Sequence, residues 1–163
     1  MMRLPRTVSL LLALSLLASS ATAQDRIISK PFADMIFAFT RAQWENYVRQ
    51  IAAPEGWTLR LLPQDTGTGL ARFNQSSGMG ASVQPLYTDD QGPGMLIVGS
   101  WYPLGALRIT DEVVKKIEQA AQLDLGSAYS VAARYTKLPG TNLEGIELVV
   151  TRDTADPRGP KTK

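Results

Sequence analysis

The sequence predicts an α+β domain in which a mainly antiparallel sheet carries two amphipathic helices on one face. Apolar and polar residues alternate with period two in several segments from residue 57 to 102 and again from 129 to 150. Two stretches with apolar side chains at helical spacing lie outside these segments. Short turns join neighbouring strands, as only antiparallel pairing permits. We therefore expect about six to seven strands in a single domain over residues 24–151.

The N-terminal segment, residues 1–23, has the order of a cleavable secretory signal peptide. Arg3 and Arg6 precede an apolar run over residues 8–18, and Ala21-Thr22-Ala23 supplies the small residues of a cleavage site. The apolar run is shorter than the roughly 20 residues that span a bilayer. We expect cleavage between Ala23 and Gln24, with no transmembrane anchor after processing, although an uncleaved anchor is the alternative.

The composition of the remaining chain is balanced in charge and lacks cysteine. The chain has no cysteine and no histidine, and two of its 17 basic residues lie in the signal segment, so 15 basic residues balance 15 acidic ones in the remainder. Such a balance provides no basic field for nucleic acid. Because small extracellular eukaryotic domains usually rely on disulfides, we expect a bacterial protein that is periplasmic or secreted.

The first elements of the domain follow a loosely held lead-in over residues 24–34. The short apolar run 35–39 predicts a buried strand. Thr40 and Gln43 have capping-box spacing, and the helix that they begin is predicted to end at Pro54 and Gly56. This helix carries an apolar stripe at i, i+3, i+4 and i+7, formed by Trp44, Tyr47, Val48 and Ile51. A single helix over residues 31–53 is the alternative.

A four-stranded meander is predicted next. Its strands are expected near residues 57–61, 70–74, 81–87 and 95–102, separated by Gly-rich and Ser-rich turns. The most pronounced turn signal is the segment 88–94, which contains Asp89-Asp90 and Gly92-Pro93-Gly94. The pairing of these strands is therefore expected to be antiparallel and sequential.

A second helix and a hairpin complete the predicted domain. Thr110 is its expected N-cap and Gly126 its C′ residue. Its predicted buried stripe consists of Val113, Val114, Ile117, Ala120 and Ala121. Two strands then meet at the turn 139–142, with Tyr129, Val131, Ala133 and Tyr135 on one face of the first and Ile146, Leu148 and Val150 on one face of the second. Residues 152–163 are charged and are expected to be a disordered tail.

The residue types that are missing exclude several chemistries. Without histidine and cysteine, a Ser-His-Asp triad, a cysteine nucleophile and a thiolate metal site are all impossible. The glycine pairs lie between strands, where turn formation explains them better than phosphate binding. The acids at 89–90 and 111–112 lie where turns and helix starts favour Asp and Glu. No catalytic residue, cofactor or metal site is therefore predicted.

Trp101 and Tyr102 are the candidate contact residues for a partner or ligand. They end a predicted strand beside the turn at Gly105, where aromatic rings are sometimes partly exposed. Trp and Tyr are favoured anchors for protein partners and for sugar rings. Packing of both rings into the core is the competing interpretation.

Three functions agree with these observations. The first is a non-catalytic accessory or interaction protein of the cell envelope, with an unknown protein or small-molecule partner. The second is a binder of a small apolar or sugar-like ligand held between the sheet and the helices. The third and weakest is a carboxylate-dependent hydrolase of envelope polysaccharide, which would need two facing carboxylates.

Overall fold

The structure, a computed structural model, describes residues 28–51, 57–62, 70–75, 80–87 and 91–153, with 57–62 and 70–75 described by their backbone alone. Three α-helices lie in this part of the chain: α1 (Lys30–Ala38), α2 (Arg41–Gln50) and α3 (Asp111–Leu125). The strands are β1 (Trp57–Leu62), β2 (Leu70–Gln75), β3 (Gly80–Tyr87), β4 (Pro93–Pro103), β5 (Tyr129–Lys137) and β6 (Leu143–Arg152). The predicted signal segment 1–23 with its cleavage site lies outside the described residues, as do residues 154–163 of the tail predicted at 152–163, whereas Arg152 belongs to β6.

Helix α1 replaces the strand predicted at residues 35–39 and the last five residues of the lead-in expected at 24–34. Ser29 caps the helix by accepting a hydrogen bond from the Phe32 N–H, and Pro31 lies in the first turn, where its missing N–H costs nothing. The buried side chains of α1 follow helical spacing: Phe32, Ala33, Ile36 and Phe37. The strand prediction was wrong because a five-residue apolar run does not distinguish a buried strand from a buried helix face.

Helix α2 begins as the sequence predicts. The Thr40 hydroxyl accepts from the Gln43 N–H while the Gln43 side chain accepts from the Thr40 N–H, so the capping box is present. Phe39 and Thr40 have extended backbone conformations, which separates α1 from α2. The alternative of one continuous helix is therefore also wrong, although both of its halves are helical. The helix ends at Gln50, ahead of the predicted end.

The antiparallel sheet confirms the predicted α+β class. Strands β3, β4, β6 and β5, in that order, pair antiparallel throughout, and the backbones of β2 and β1 continue the sheet beyond β3. The predicted hairpin between β5 and β6 is present, with Tyr135 opposite Ile146 and Ala133 opposite Leu148. Strand β6 continues through Arg152, which pairs with Tyr129.

The core contains alternate residues of strands β3, β4, β5 and β6 together with buried residues of all three helices. Leu96, Leu148 and Val150 are completely buried in the sheet, and Ile36 and Leu125 are completely buried in α1 and α3. This segregation of apolar side chains supplies the main favourable contribution to folding. Among the described helices, none is both long enough and apolar enough to cross a bilayer.

Helix α3 has the predicted N-cap Thr110 and ends at the predicted Gly126, whose φ is 75°. Its buried stripe is shifted from the predicted one. Val114, Ile117, Ala121 and Leu125 contact the core at i, i+3, i+7 and i+11, whereas Val113 is exposed. The shift has a tertiary cause, because the helix orientation also directs Glu118 and Gln122 toward strand β5.

Candidate functional site

A buried carboxylate connects three parts of the molecule at one end of the sheet. Glu144, on β6, is 8 % exposed. One of its oxygens accepts the Gly105 N–H at 2.9 Å, and the other accepts the Tyr135 hydroxyl at 2.6 Å. Through these two hydrogen bonds, Glu144 links β6 to the connection between β4 and α3 and to the end of β5 that precedes the β5–β6 turn. Its neighbours across the sheet are Tyr102 on one side and Lys137 on the other.

Three apolar or aromatic residues flank Glu144, and we call them the tyrosine patch: Tyr102 lies opposite it on the ladder, Tyr135 donates to it, and Leu104 precedes its partner Gly105. Cross-strand partners place their side chains on the same face of a sheet, so Tyr102 lies on the same face as Glu144. Leu104 is 55 % exposed and Tyr135 is 43 % exposed. The Leu104 N–H donates to the Asn142 carbonyl at 2.9 Å, which anchors the exposed side chain beside the β5–β6 turn.

The two aromatic residues predicted from the sequence occupy different environments. Trp101 is 1 % exposed, and its indole N–H donates to the Ser82 hydroxyl at 2.8 Å. The ring lies against Gly99, where a Cβ would come within 2.6 Å of the indole nitrogen. Trp101 therefore presents no ring surface to a partner in this structure. Tyr102 is half-buried, hydrogen-bonds to Ser100 through its hydroxyl, and belongs to the tyrosine patch.

Sequence reasoning missed the roles of Glu144 and Tyr135. Tyr135 was expected on the apolar face of β5, and the structure places it at the end of that face, where the helices no longer cover it fully. Glu144 lies two residues before Ile146 in β6, so the two side chains lie on the same face of the strand. A carboxylate that continues an apolar strand face is a signal for a buried or paired acid, because an unpaired buried charge is costly.

The hydrogen bonds between Glu144 and its neighbours shift the pKa values of the carboxyl and of the Tyr135 phenol. The Tyr135 hydroxyl and the Gly105 N–H, helped by the charge of Lys137, hold the pKa of Glu144 below its ordinary value. The same hydrogen bond raises the pKa of the Tyr135 phenol. Both shifts move away from neutral pH, so they keep Glu144 ionised and Tyr135 protonated, whereas general acid-base catalysis favours pKa values near the working pH.

A second carboxylate–tyrosine pair follows the same rule. Burial raises the pKa of Asp34, but hydrogen bonds from Lys30 and Tyr129 outweigh it, so the pKa is lowered. Burial and the Asp34 carboxylate raise the pKa of Tyr129, which donates to Asp34 at 2.5 Å. Burial also raises the pKa of Tyr87 to about 12. The Asp34–Tyr129 pair joins α1 to β5 and is a packing feature, since the Phe37 ring packs against the Tyr129 ring in a tilted arrangement.

Within the part of the chain that the structure describes, no three acidic side chains come together as possible metal ligands. Asp111 and Glu112 lie in the first turn of α3, and Glu112 pairs with Lys116 on the exposed helix surface. The predicted acidic turn at 89–90 lies outside the described residues. Comparison of the chain with known protein families, curated proteins and solved structures finds no match.

Proposed function

We propose that this chain is an exported, non-catalytic interaction protein that contacts a partner in the cell envelope through the tyrosine patch. The observation that carries the proposal is the combination of exposed apolar side chains with a rigid polar support. Leu104 and Tyr135 are the exposed members, and Glu144 accepts hydrogen bonds from the Tyr135 hydroxyl and from the backbone N–H of Gly105, the residue after Leu104. Pre-organised aromatic and apolar side chains are typical of residues that dominate binding energy in protein interfaces.

Export to the periplasm or beyond is part of the same proposal, supported by the signal-like segment 1–23 and by the absence of cysteine. The proposal takes the whole domain to have the predicted six to seven strands, with the helices on one face of the sheet. In that arrangement the patch lies at the end of the helix-bearing face, which leaves its side chains accessible to a macromolecule.

The tyrosine patch is a better contact surface than the other exposed apolar residues. Leu123 is 83 % exposed and Val113 is 38 % exposed, but they are ten positions apart on α3. That separation corresponds to about 15 Å along a helix. Single exposed apolar residues are ordinary on protein surfaces, whereas the patch combines residues from β4, its following loop and β5.

Site-specific photocrosslinking in the producing cell tests the proposal. A photoreactive residue at position 104 is expected to give a discrete adduct with one envelope protein, because Leu104 lies in the patch. The same residue at position 123 is the matched control, since Leu123 is more exposed but lies outside the patch. The Leu104→Glu variant should lose the partner in affinity purification, and Leu123→Glu should keep it.

Two results contradict this proposal. Equal adducts at positions 104 and 123 would show that contact follows exposure rather than the patch. Native mass spectrometry that finds a small molecule bound to the purified chain, with no crosslinked protein, would instead favour the ligand-binding function. The charge introduced by Leu104→Glu lies on an exposed position, so loss of folding is not expected to explain loss of the partner.

A further inference from the structure

Strand β5 is an edge strand of the described sheet, and helix α3 satisfies much of its outward backbone. The Gln122 side chain donates to the Tyr129 carbonyl at 2.8 Å and accepts the Val131 N–H at 3.0 Å. The Glu118 carboxylate accepts the Ala133 N–H at 2.8 Å. These side chains act as a substitute for a neighbouring strand, and covering an edge in this way prevents unwanted pairing.

The cover stops before the end of the strand. The backbone N–H and C=O groups of alternate residues point to the same side of a strand. The backbone groups of Tyr135 and Lys137 therefore point outward, as do those of Tyr129, Val131 and Ala133. Among the described residues, no hydrogen bond reaches the outward N–H and C=O of Tyr135 or the N–H of Lys137. Both residues are also exposed. An uncovered edge segment of this kind is a template for another extended chain.

We propose that the open end of β5, at Tyr135 and Lys137, binds an acidic peptide segment of the partner as an added strand. This inference rests on the proposed function and specifies the class of partner. The added strand would hydrogen-bond to the outward groups of both residues, as in β-strand addition. Its side chains would then lie beside the Tyr135 ring and extend the apolar contact of the tyrosine patch.

The charge distribution selects an acidic segment. Lys137 forms no ion pair with any described residue, and the Glu144 carboxylate across the ladder already has both oxygens engaged. Arg134 pairs with Glu147 but remains 59 % exposed. An acidic partner strand would place a carboxylate within reach of the exposed Lys137 side chain.

Nuclear magnetic resonance with a short blocked peptide of alternating valine and glutamate tests the inference on the folded domain. The expected result is binding with Kd below about 1 mM, together with slower amide exchange at Tyr135 and Lys137. Contact through side chains alone would shift the Tyr135 ring signals and leave both amides exchanging as before. A peptide with lysine in place of glutamate is the control and should bind more weakly.

Two substitutions at one position separate the hydrogen bond from the charge. Lys137→Ala keeps the N–H and removes the charge, and we expect about threefold weaker binding. Lys137→Pro also removes the outward N–H, which an edge strand tolerates because that group takes no part in the ladder. We expect at least about fivefold further weakening. Thermal unfolding of both variants checks that the domain remains folded.

The inference is overturned by absence of binding at about 1 mM, by equal binding of the lysine peptide, or by equal affinities of the alanine and proline variants. Its failure is distinguishable from failure of the proposed function. If crosslinking at position 104 succeeds while Lys137→Pro retains the envelope partner, the patch is the interface and strand addition is wrong. If crosslinking at 104 fails, the interface itself is wrong.

Discussion

Glu144 shows how one residue gains a role from its surroundings. Its carboxylate is held by a phenol from β5 and by a backbone N–H from the β4–α3 connection. Charge-assisted hydrogen bonds of this kind are stronger than those between neutral groups. The side chain therefore links the position of Tyr135 to that of the loop that carries Leu104, and the geometry of the tyrosine patch depends on its ionised form.

The lowered pKa of Glu144 makes the free energy of unfolding of the domain depend on pH in the acidic range. The folded-state pKa is below the ordinary value of 4.5. As pH falls from this value through the folded-state pKa, the unfolded chain binds more protons than the folded chain, so the free energy of unfolding falls over this window. We expect Glu144→Gln to lower stability at pH 7 and to reduce its acid dependence, measured by urea unfolding from neutral to acidic pH.

Glu112→Gln is the matched control for this prediction. Glu112 forms an exposed i,i+4 pair with Lys116, and such pairs contribute little to stability. Its substitution should leave both the stability and the acid dependence near those of the natural chain. Asp34, whose pKa is also lowered, keeps part of the acid dependence in Glu144→Gln. An unchanged pH profile in that variant would contradict the role assigned to Glu144.

Three glycines give a graded test of packing on the central strands. A Cβ at Gly145 would overlap the Ser100 carbonyl of the adjacent strand, and one at Gly99 would meet the Trp101 ring, whereas one at Gly94 would meet nothing within 4 Å. We expect Gly99→Ala to destabilise the domain by about 1–3 kcal/mol, with a larger loss for Gly145→Ala because the backbone must move. Urea unfolding monitored by tryptophan fluorescence measures these differences.

Gly94→Ala is the control in the same strand as Gly99. The position lacks a positive φ and has open space around it. Alanine should therefore be neutral, or stabilise the domain by up to about 1 kcal/mol, because it lowers the conformational entropy of the unfolded chain. Equal destabilisation by all three substitutions would show that glycine is needed for the backbone conformation rather than for space. The proposed contact between Gly99 and the Trp101 ring would then be wrong.

Among the elements, helix α3 covers much of the outward edge of strand β5 with side-chain hydrogen bonds. Gln122 alone makes three hydrogen bonds, to Gly126, Tyr129 and Val131. Its amide carries both a donor and an acceptor, so it matches the alternating carbonyl and N–H groups of a strand edge. A helix that packs on a sheet can thus also protect the strand at its border.

We expect Gln122→Ala to lower the free energy of unfolding by about 1–3 kcal/mol, because it leaves partly buried backbone groups without partners. Gln119→Ala is the matched control on the same helix, since Gln119 is exposed, and its effect should stay within about 0.5 kcal/mol. Light scattering on concentrated samples should also show more self-association for Gln122→Ala. Equal effects of both variants would indicate only a helix-propensity change.

At the scale of the whole molecule, export implies a defined mature chain. If residues 1–23 are a signal peptide, the protein recovered from the periplasm of its host begins at Gln24, and intact mass spectrometry measures the corresponding loss. Alanine at position 23 fits the small residue required before cleavage, so Ala23→Arg should block processing and Ala18→Gly should not. An exported protein with the mass of the full chain would contradict this prediction.

Features that depend on neighbouring residues could be predicted from the sequence. The capping box at Thr40, the caps Thr110 and Gly126, and the alternation of Ile146, Leu148 and Val150 all recur in the structure. Each depends on hydrogen bonds or periodicity within a few positions, which a local pattern records directly. The antiparallel pairing of β3 with β4 and of β5 with β6 followed for the same reason, because each pair is joined by a short turn, whereas the pairing of β4 with β6 is a tertiary feature.

The tertiary structure decided what depends on distant residues. Helix α1 is helical because Ile36 and Phe37 pack into a core formed with strands far along the chain, although the same apolar run also suits a strand. Trp101 and Tyr102 are adjacent in the sequence, but sheet alternation buries the first and brings the second to Glu144. The candidate site joins β4, β5 and β6, and only packing brings its members together, since no local pattern encodes contacts between residues so far apart.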